Sequence, residues 1–292
     1  LGGHRVHLDP RRAVGLSFIS HAHADHRPSS VAGTVVASKE TSCLMGIEEV
    51  EAQETLRLSD DMTLRTVPSG HILGSSQLVM ENGTTVVYTG DLNVEGGFTT
   101  PPAEIPPCDV LIMECTFGSP FYSFPKREEV VKEMGDWIED CFSRGETPVV
   151  MGYALGKAQE LTRALSGNFQ VVAGGRVYEN NKRYEALGVD LGAYFPMGDG
   201  DRVIILPPGR KNLMALKGLK TRTAVATGWA CHRGRASWYG ADCAFPFSDH
   251  SDFEGLLQYV EKASPQVVYT HHGCAEEFSQ ELRQRGFYSE PL

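Results

Sequence analysis

The 292-residue sequence has no CxxC pair, and its seven cysteines (Cys43, Cys108, Cys115, Cys141, Cys231, Cys243 and Cys274) form an odd set. That pattern excludes a complete disulfide framework and reads as reduced thiols in a cytosolic, cytoplasmic compartment. No apolar run approaches the ~18 residues that a membrane span requires, so a membrane protein is not expected. The opening LGGHRVHLDP carries charge and lacks an apolar centre, so no export signal is expected either. Internal repeats, low-complexity tracts and long Gly/Ser linkers are absent, which excludes repeat arrays and leaves domains to be inferred from pattern. Positive charge is in short supply, with 27 Lys and Arg against 37 Asp and Glu. The net charge of −10 taken alone argues against a polyanionic partner.

The distribution of that charge is uneven. Residues 157–235 hold 13 Lys and Arg against 6 Asp and Glu, a local balance of +7 that leaves −17 for the rest of the chain. A solvated face is the plain explanation, and an anion-binding surface is the alternative. With 41% hydrophobic residues, the chain can bury one large core or two ordinary ones.

Residues 1–118 alternate short β-rich runs, at 5–8, 16–19, 34–37, 77–80, 85–88 and 110–113, with Gly- and Ser-containing turns. After Pro120 the texture changes. Val130, Val131, Met134, Trp137, Ile138, Cys141 and Phe142 form a 3.6-residue stripe that predicts an amphipathic helix over 127–143. Apolar runs at 148–153, 170–173, 203–206 and 224–226 then alternate with helical stretches at 157–165 and 181–187, the mark of a parallel α/β unit. Ser251-Asp252-Phe253-Glu254 has capping-box form and starts a helix that Pro265 ends. A short strand at 266–270 delivers His271 and His272.

Ser20-His21-Ala22-His23-Ala24-Asp25-His26 follows directly on one of these apolar runs. A lone histidine is usually a packed structural residue, but three imidazoles and a carboxylate in six residues are too dense for core filling. Zinc favours imidazole nitrogen and carboxylate oxygen, and a strand-to-loop HxHxDH can aim His21 and His23 at one ion, Asp25 and His26 at another. One loop cannot complete two sites. Further donors stand at turns after strands: His71 in Pro68-Ser69-Gly70-His71, Asp91 after Gly90, and His271 and His272 before Gly273. Adjacent residues at a strand end point in opposite directions, so only one of the last pair should reach a metal. His4, His7 and His232 read as surface or packing residues.

In this order the residues resemble the metallo-β-lactamase superfamily over nearly the whole chain. Asp9, in Val6-His7-Leu8-Asp9-Pro10, matches its first, structural motif, and the HxHxDH, His71 and Asp91 match the next three. Leu111-Ile112-Met113-Glu114-Cys115-Thr116-Phe117-Gly118 is similar to motif A of the β-CASP nucleases. Phe247-Ser248-Asp249-His250-Ser251-Asp252 is similar to motif B, and the histidine before Gly273 to motif C. Residues 153–160 resemble a segment that opens a helix in the β-CASP insertion. Thr227-Gly228-Trp229 and Arg233-Gly234-Arg235 resemble the short messenger-RNA 3′-end processing factor-like exonucleases, including their ligase-associated DNA branch.

The resemblance implies an α/β architecture: a metallo-β-lactamase αββα sandwich from residues 1–118 and 248–292, with a β-CASP α/β domain inserted at 119–247 and no added C-terminal domain. It implies two Zn2+ ions, one held by His21, His23, His71 and Asp91, the other by Asp25, His26, Asp91 and His272. Asp25, Glu114 and His250 are the implied catalytic residues, His250 as the proton donor to the leaving oxygen with Glu114 orienting it. Gly156 and Lys157 at a helix start, Trp229 as a stacking face, and Arg233 and Arg235 as cations are candidate substrate contacts on a domain expected to cover the zinc cleft.

The implied activity is a zinc-dependent nuclease. Single-stranded RNA is favoured as substrate, because motif C carries His where DNA-repair members of the family tend to carry Val. A ligase-associated DNA exonuclease and a non-catalytic scaffold subunit of an RNA-processing complex are the alternatives. A lactamase is disfavoured, since nothing in that chemistry needs the inserted domain or the Glu114 and His250 pair.

Overall fold

The computed structural model describes residues 3, 5–47, 55–198, 202–232 and 234–292. Arg233 and His4 lie outside the described residues. The chain is a mixed α/β protein that divides into two compact units, one from residues 1–122 with 250–292 and one from residues 123–249.

The first unit contains a seven-stranded sheet and a three-stranded one. In the larger sheet the order is Ser289–Pro291, Val267–His271, Val110–Glu114, Thr85–Tyr88, Ser76–Glu81, Met62–Pro68 and Thr55–Ser59. Its first four strands run parallel and the rest pair antiparallel. Period-two alternation divides the side chains between two cores. Val79, Val87, Leu111 and Met113 face Phe253, Leu256, Leu257 and Val260 of helix Phe253–Ala263, together with Phe278 and Leu282 of helix Ala275–Gln284. Leu78, Met80, Val86 and Tyr88 pack instead with Phe18 and Val36 of the three-stranded parallel sheet Val6–Leu8, Ala13–Phe18 and Val31–Val36.

This topology positions the site. Met62–Pro68 is two antiparallel steps from Thr85–Tyr88, so it runs in the same direction as Thr85–Tyr88, Val110–Glu114 and Val267–His271. The loops after Pro68, Tyr88, Glu114 and His271 therefore leave one edge of the sheet.

The second unit is built on a six-stranded, all-parallel sheet, ordered Tyr194–Pro196, Val171–Ala173, Val203–Leu206, Thr147–Met151, Thr221–Ala226 and Cys243–Phe245. Parallel strands need cover on both faces. Val150, Val171, Val203 and Ile205 meet helices Arg127–Ser143 and Lys157–Leu165 through Val130, Met134, Ile138, Ala158 and Leu161. Val149, Met151, Ile204 and Val225 meet Leu213 and Leu216 on the other face.

Two expectations shift. The helix expected over 181–187 begins earlier and spans Arg176–Ala186, entered through Gly175 at φ 48°. The cap of the last-third helix is Asp252, whose carboxylate accepts from Gly255 N, whereas Ser251 Oγ accepts from Val94 N. Among the described residues no helix is long and apolar enough to cross a membrane.

Candidate metal centre

Four of the expected donors converge. The ligand atoms of His21, His23, His71 and Asp91 all lie within 4.8 Å of one another. His23 Nδ1 stands 3.1 Å from His21 Nε2 and 3.1 Å from His71 Nε2. Asp91 Oδ2 is 3.4 Å from His21 Nε2 and 3.5 Å from His71 Nε2. Donors ~2 Å from a tetrahedral ion stand roughly 3.3 Å apart, so these spacings suit four-coordinate zinc.

The proton inventory agrees. Ser20 has one hydroxyl hydrogen, and it goes to Asp9 Oδ2 at 2.6 Å, so Ser20 Oγ accepts from His21 Nδ1 at 3.0 Å. That leaves the lone pair of His21 Nε2 facing the other donors. Several inward lone pairs in a buried space call for a cation. Burial, then neighbouring His23 and His71, hold the His21 pKa well below its ordinary value, which keeps it a neutral ligand.

Backbone exceptions bring the loops this close. Gly90 has φ 54°, and a Cβ there would lie 2.4 Å from Ser20 Cβ. Gly70, beside His71, has φ 78°, and a Cβ would meet Asn93 O at 2.0 Å. Only glycine fits either position.

The second expected set is looser. His26 Nε2 faces Asp91 Oδ1 at 3.6 Å and Asp25 Oδ2 at 4.0 Å, and its ring centre is 6.1 Å from that of His272. Asp91 thus turns one oxygen to His21 and His71 and the other to His26. Asp25 is exposed, and His272 is exposed with a left-handed backbone, φ 62°. His271 instead lays its ring on Tyr88, 5.5 Å between centres, with Nε2 buried and without a hydrogen-bond partner among the described residues. Burial, then His272, lowers the His271 pKa to about 4.

A hydrogen-bonded layer holds this set from behind, and sequence reasoning missed most of it. Asp9 accepts from Ser20 N at 2.7 Å, from Tyr88 OH at 2.8 Å and from His26 Nδ1 at 2.9 Å. A carboxylate on the far nitrogen fixes the ring and raises its basicity. Although burial opposes it, the Asp9 hydrogen bond and the Asp91 charge lift His26 to about 9. Ser20 and Tyr88 carry no recognisable donor spacing, so only their position beside a motif could have drawn attention to them.

Asp91 also belongs to a second cluster, with Glu114 and His250. His250 Nδ1 bonds Glu114 Oε1 at 2.8 Å, and its Nε2 faces Asp91 Oδ2 at 4.0 Å. Glu114 is fully buried and accepts from Leu92 N at 3.0 Å and Thr116 N at 2.7 Å. Burial would raise its pKa, but His250 and the Thr116 donor outweigh that and lower it to about 2. Asp91 goes the other way, raised by burial against the pull of His250.

In the second unit the expected phosphate cradle is already engaged. Gly156 N donates to Gln159 Oε1 at 2.8 Å, and the amides of Gln159 and Glu160 bond Gly156 O. Lys157 is buried, with Nζ 2.9 Å from Asp249 Oδ1, so its charge neutralises an acid within the unit. Burial lowers its pKa, with Asp249 opposing. Trp229 is half-buried, and the Arg235 guanidinium lies 5.3 Å from its ring centre.

A buried histidine and aspartate metal centre on a mixed α/β frame is the class that fold and site define. No family model matches the chain. A protein from Opitutus terrae named a probable DNA ligase is 36% identical across 96% of this chain and 29% of its own length. An RNase J-like protein from Methanocaldococcus jannaschii is 28% identical across 51% of the chain and 43% of its own length. Cleavage and polyadenylation specificity factor subunit 3-II from Arabidopsis thaliana is 26% identical across 42% of the chain and 20% of its own length. The chain spans less than half the length of each of these relatives. The names of these relatives and the order of the motifs fit the β-CASP nuclease family of the metallo-β-lactamase superfamily.

Proposed function

We propose that the chain is a metal-dependent phosphodiesterase acting on nucleic acid, with the first unit as the metallo-β-lactamase sandwich and the second as the β-CASP domain. The observation that carries this reading is Asp91, shared between the four-donor cluster and the Glu114–His250 pair. The donor set fits zinc: His21, His23, His71 and Asp91 would hold one ion, and Asp25, His26, Asp91 and His272 a second. Bound zinc supplies positive charge to a scissile phosphate and acidity to a water.

The chain's own groups supply the rest. Glu114 holds the His250 ring through Nδ1 and stabilises its cationic form, so that Nε2 can give a proton to a departing oxygen. Asp9, through Ser20 and His26, keeps the rings in register. Asp25, exposed beside His26, would complete the second set from the solvent side.

Single-stranded RNA is the favoured substrate, resting on His272 before Gly273. DNA is the second reading, favoured by the match to a probable DNA ligase along 96% of the chain. A cytoplasmic setting belongs to the same proposal and rests on cysteine spacing. Degradation of RNA and DNA of one sequence, with 5′ phosphate or 5′ hydroxyl ends and metal content measured in parallel, tests it. Cleavage of RNA alone supports the first reading and of DNA alone the second. Inert protein with a full metal complement overturns both.

A further inference from the structure

Trp238 is the most exposed large hydrophobic side chain among the described residues, with 77% of its surface open. A single surface tryptophan needs no explanation. This one is built in. Thr227 opens the turn Gly228–Cys231, and its Oγ1 accepts from Trp229 N. Gly234, left-handed at φ 84°, then directs the chain into the single helical turn Arg235–Trp238. The Arg235 guanidinium carbon lies 4.0 Å from the Trp238 ring centre and 5.3 Å from that of Trp229. One cation therefore stands against two indoles, while most of the Trp238 surface stays open to solvent.

We propose that the open face of Trp238 is a nucleobase-stacking platform, with Arg235 fixing the indole from behind and offering its edge donors to a flanking phosphate. It rests on the reading of the substrate as nucleic acid, and it commits to unpaired bases, whose faces are free. Stacking on an aromatic face favours single strands without selecting sequence. A guanidinium can stack through its plane while its N–H edge bonds phosphate. The preceding segment, 157–235, carries a +7 balance, and although Lys157 and Arg222 pair with Asp249 and Asp140 outside it, the excess that is left complements a phosphate backbone. Trp229, the aromatic singled out in the sequence, lies near the same cation.

The test uses the metal-free full chain, so that cleavage does not intervene, and measures anisotropy with a short labelled single-stranded homopolymer, its abasic counterpart and a duplex. Trp238→Ala should weaken binding of the base-bearing strand about tenfold. Trp238→Phe should restore most of that, and neither change should matter on the abasic strand. Wild-type binding unaltered by Trp238→Ala overturns the platform while leaving the nuclease reading in place. So does an equal loss on the abasic strand, which would make the contact one of charge alone. A dimer that Trp238→Ala dissociates, with strand affinity unchanged, would assign the face to a second copy. Metal-free protein that binds no strand, together with zinc-loaded protein that degrades none, removes the nucleic-acid reading and the platform with it.

Discussion

His71 and His250 sit 4.4 Å apart between ring centres, yet their surroundings assign them different work. His71 faces His23 and Asp91, while His250 is held through Nδ1 by a buried carboxylate. His71→Ala is expected to lose metal and activity together. His250→Ala should keep its metal, measured by atomic absorption, and lose ~10²–10⁴ in rate, the usual worth of a positioned acid. A nitrophenyl phosphodiester, whose leaving group needs no proton, should recover most of that rate; equal losses on both substrates would remove the proton-donor role. Glu114 adds a pH signature. Its folded pKa of about 2 lies below the ordinary 4.5, so its contribution to stability is complete above 4.5 and is lost as pH falls towards 2. Denaturant midpoints of metal-free Glu114→Gln should therefore fall less steeply than wild type across that window. Parallel slopes would mean that the carboxylate is not held by His250. At this scale the sequence singled out the candidate donors, four of which the structure brings together, because HxHxDH is dense enough to stand out. It could not show Ser20, Tyr88 or Trp238, whose roles exist only through neighbours distant in sequence.

Among elements, legibility followed the strength of the periodic signal. The stripe from Val130 to Phe142 predicts 127–143, and the helix is Arg127–Ser143. The run at 203–206 is the strand Val203–Leu206, all four residues buried. The hairpin Thr55–Ser59 and Met62–Pro68 escaped notice, since it lies near the sheet edge and its apolar residues alternate with Arg, Thr and Ser. Helix Ala275–Gln284 was missed for a related reason: it buries Phe278, Ser279 and Leu282, too few apolar anchors to form a stripe. Turns between elements carry more of the site than the elements do. Gly90→Ala would place a methyl against Ser20 at a left-handed backbone position, and should cost more than about 1 kcal/mol in stability and lower metal affinity. Asp252→Ala, which removes a helix cap at a residue outside the expected donor set, should cost about 1 kcal/mol with metal content intact. Equal loss of metal in both, read by titration with a chromophoric chelator, would show that the Gly90 effect is only general destabilisation.

For the whole molecule, the division of labour between the two units can be tested by heat. Every expected metal donor, from His21 to His272, lies in the unit formed by 1–122 and 250–292, while Trp137, Trp229 and Trp238 all lie in 123–249. Each unit closes its own cores, the second one on both faces of its parallel sheet. A ligand bound only by the folded state stabilises it by RT ln(1 + [L]/Kd), about 4 kcal/mol at a thousandfold excess over Kd. That free energy enters through loops of the first unit alone. Chelation should therefore lower a calorimetric transition assigned to the first unit by several degrees, while tryptophan fluorescence, which reports only on the second, melts at an unchanged temperature. Re-adding zinc should restore the calorimetric transition. If the fluorescence transition instead moves with the calorimetric one, the two units unfold as a single cooperative body. If neither moves, the donor cluster contributes no binding energy to the fold, and the metal centre itself would have to be abandoned.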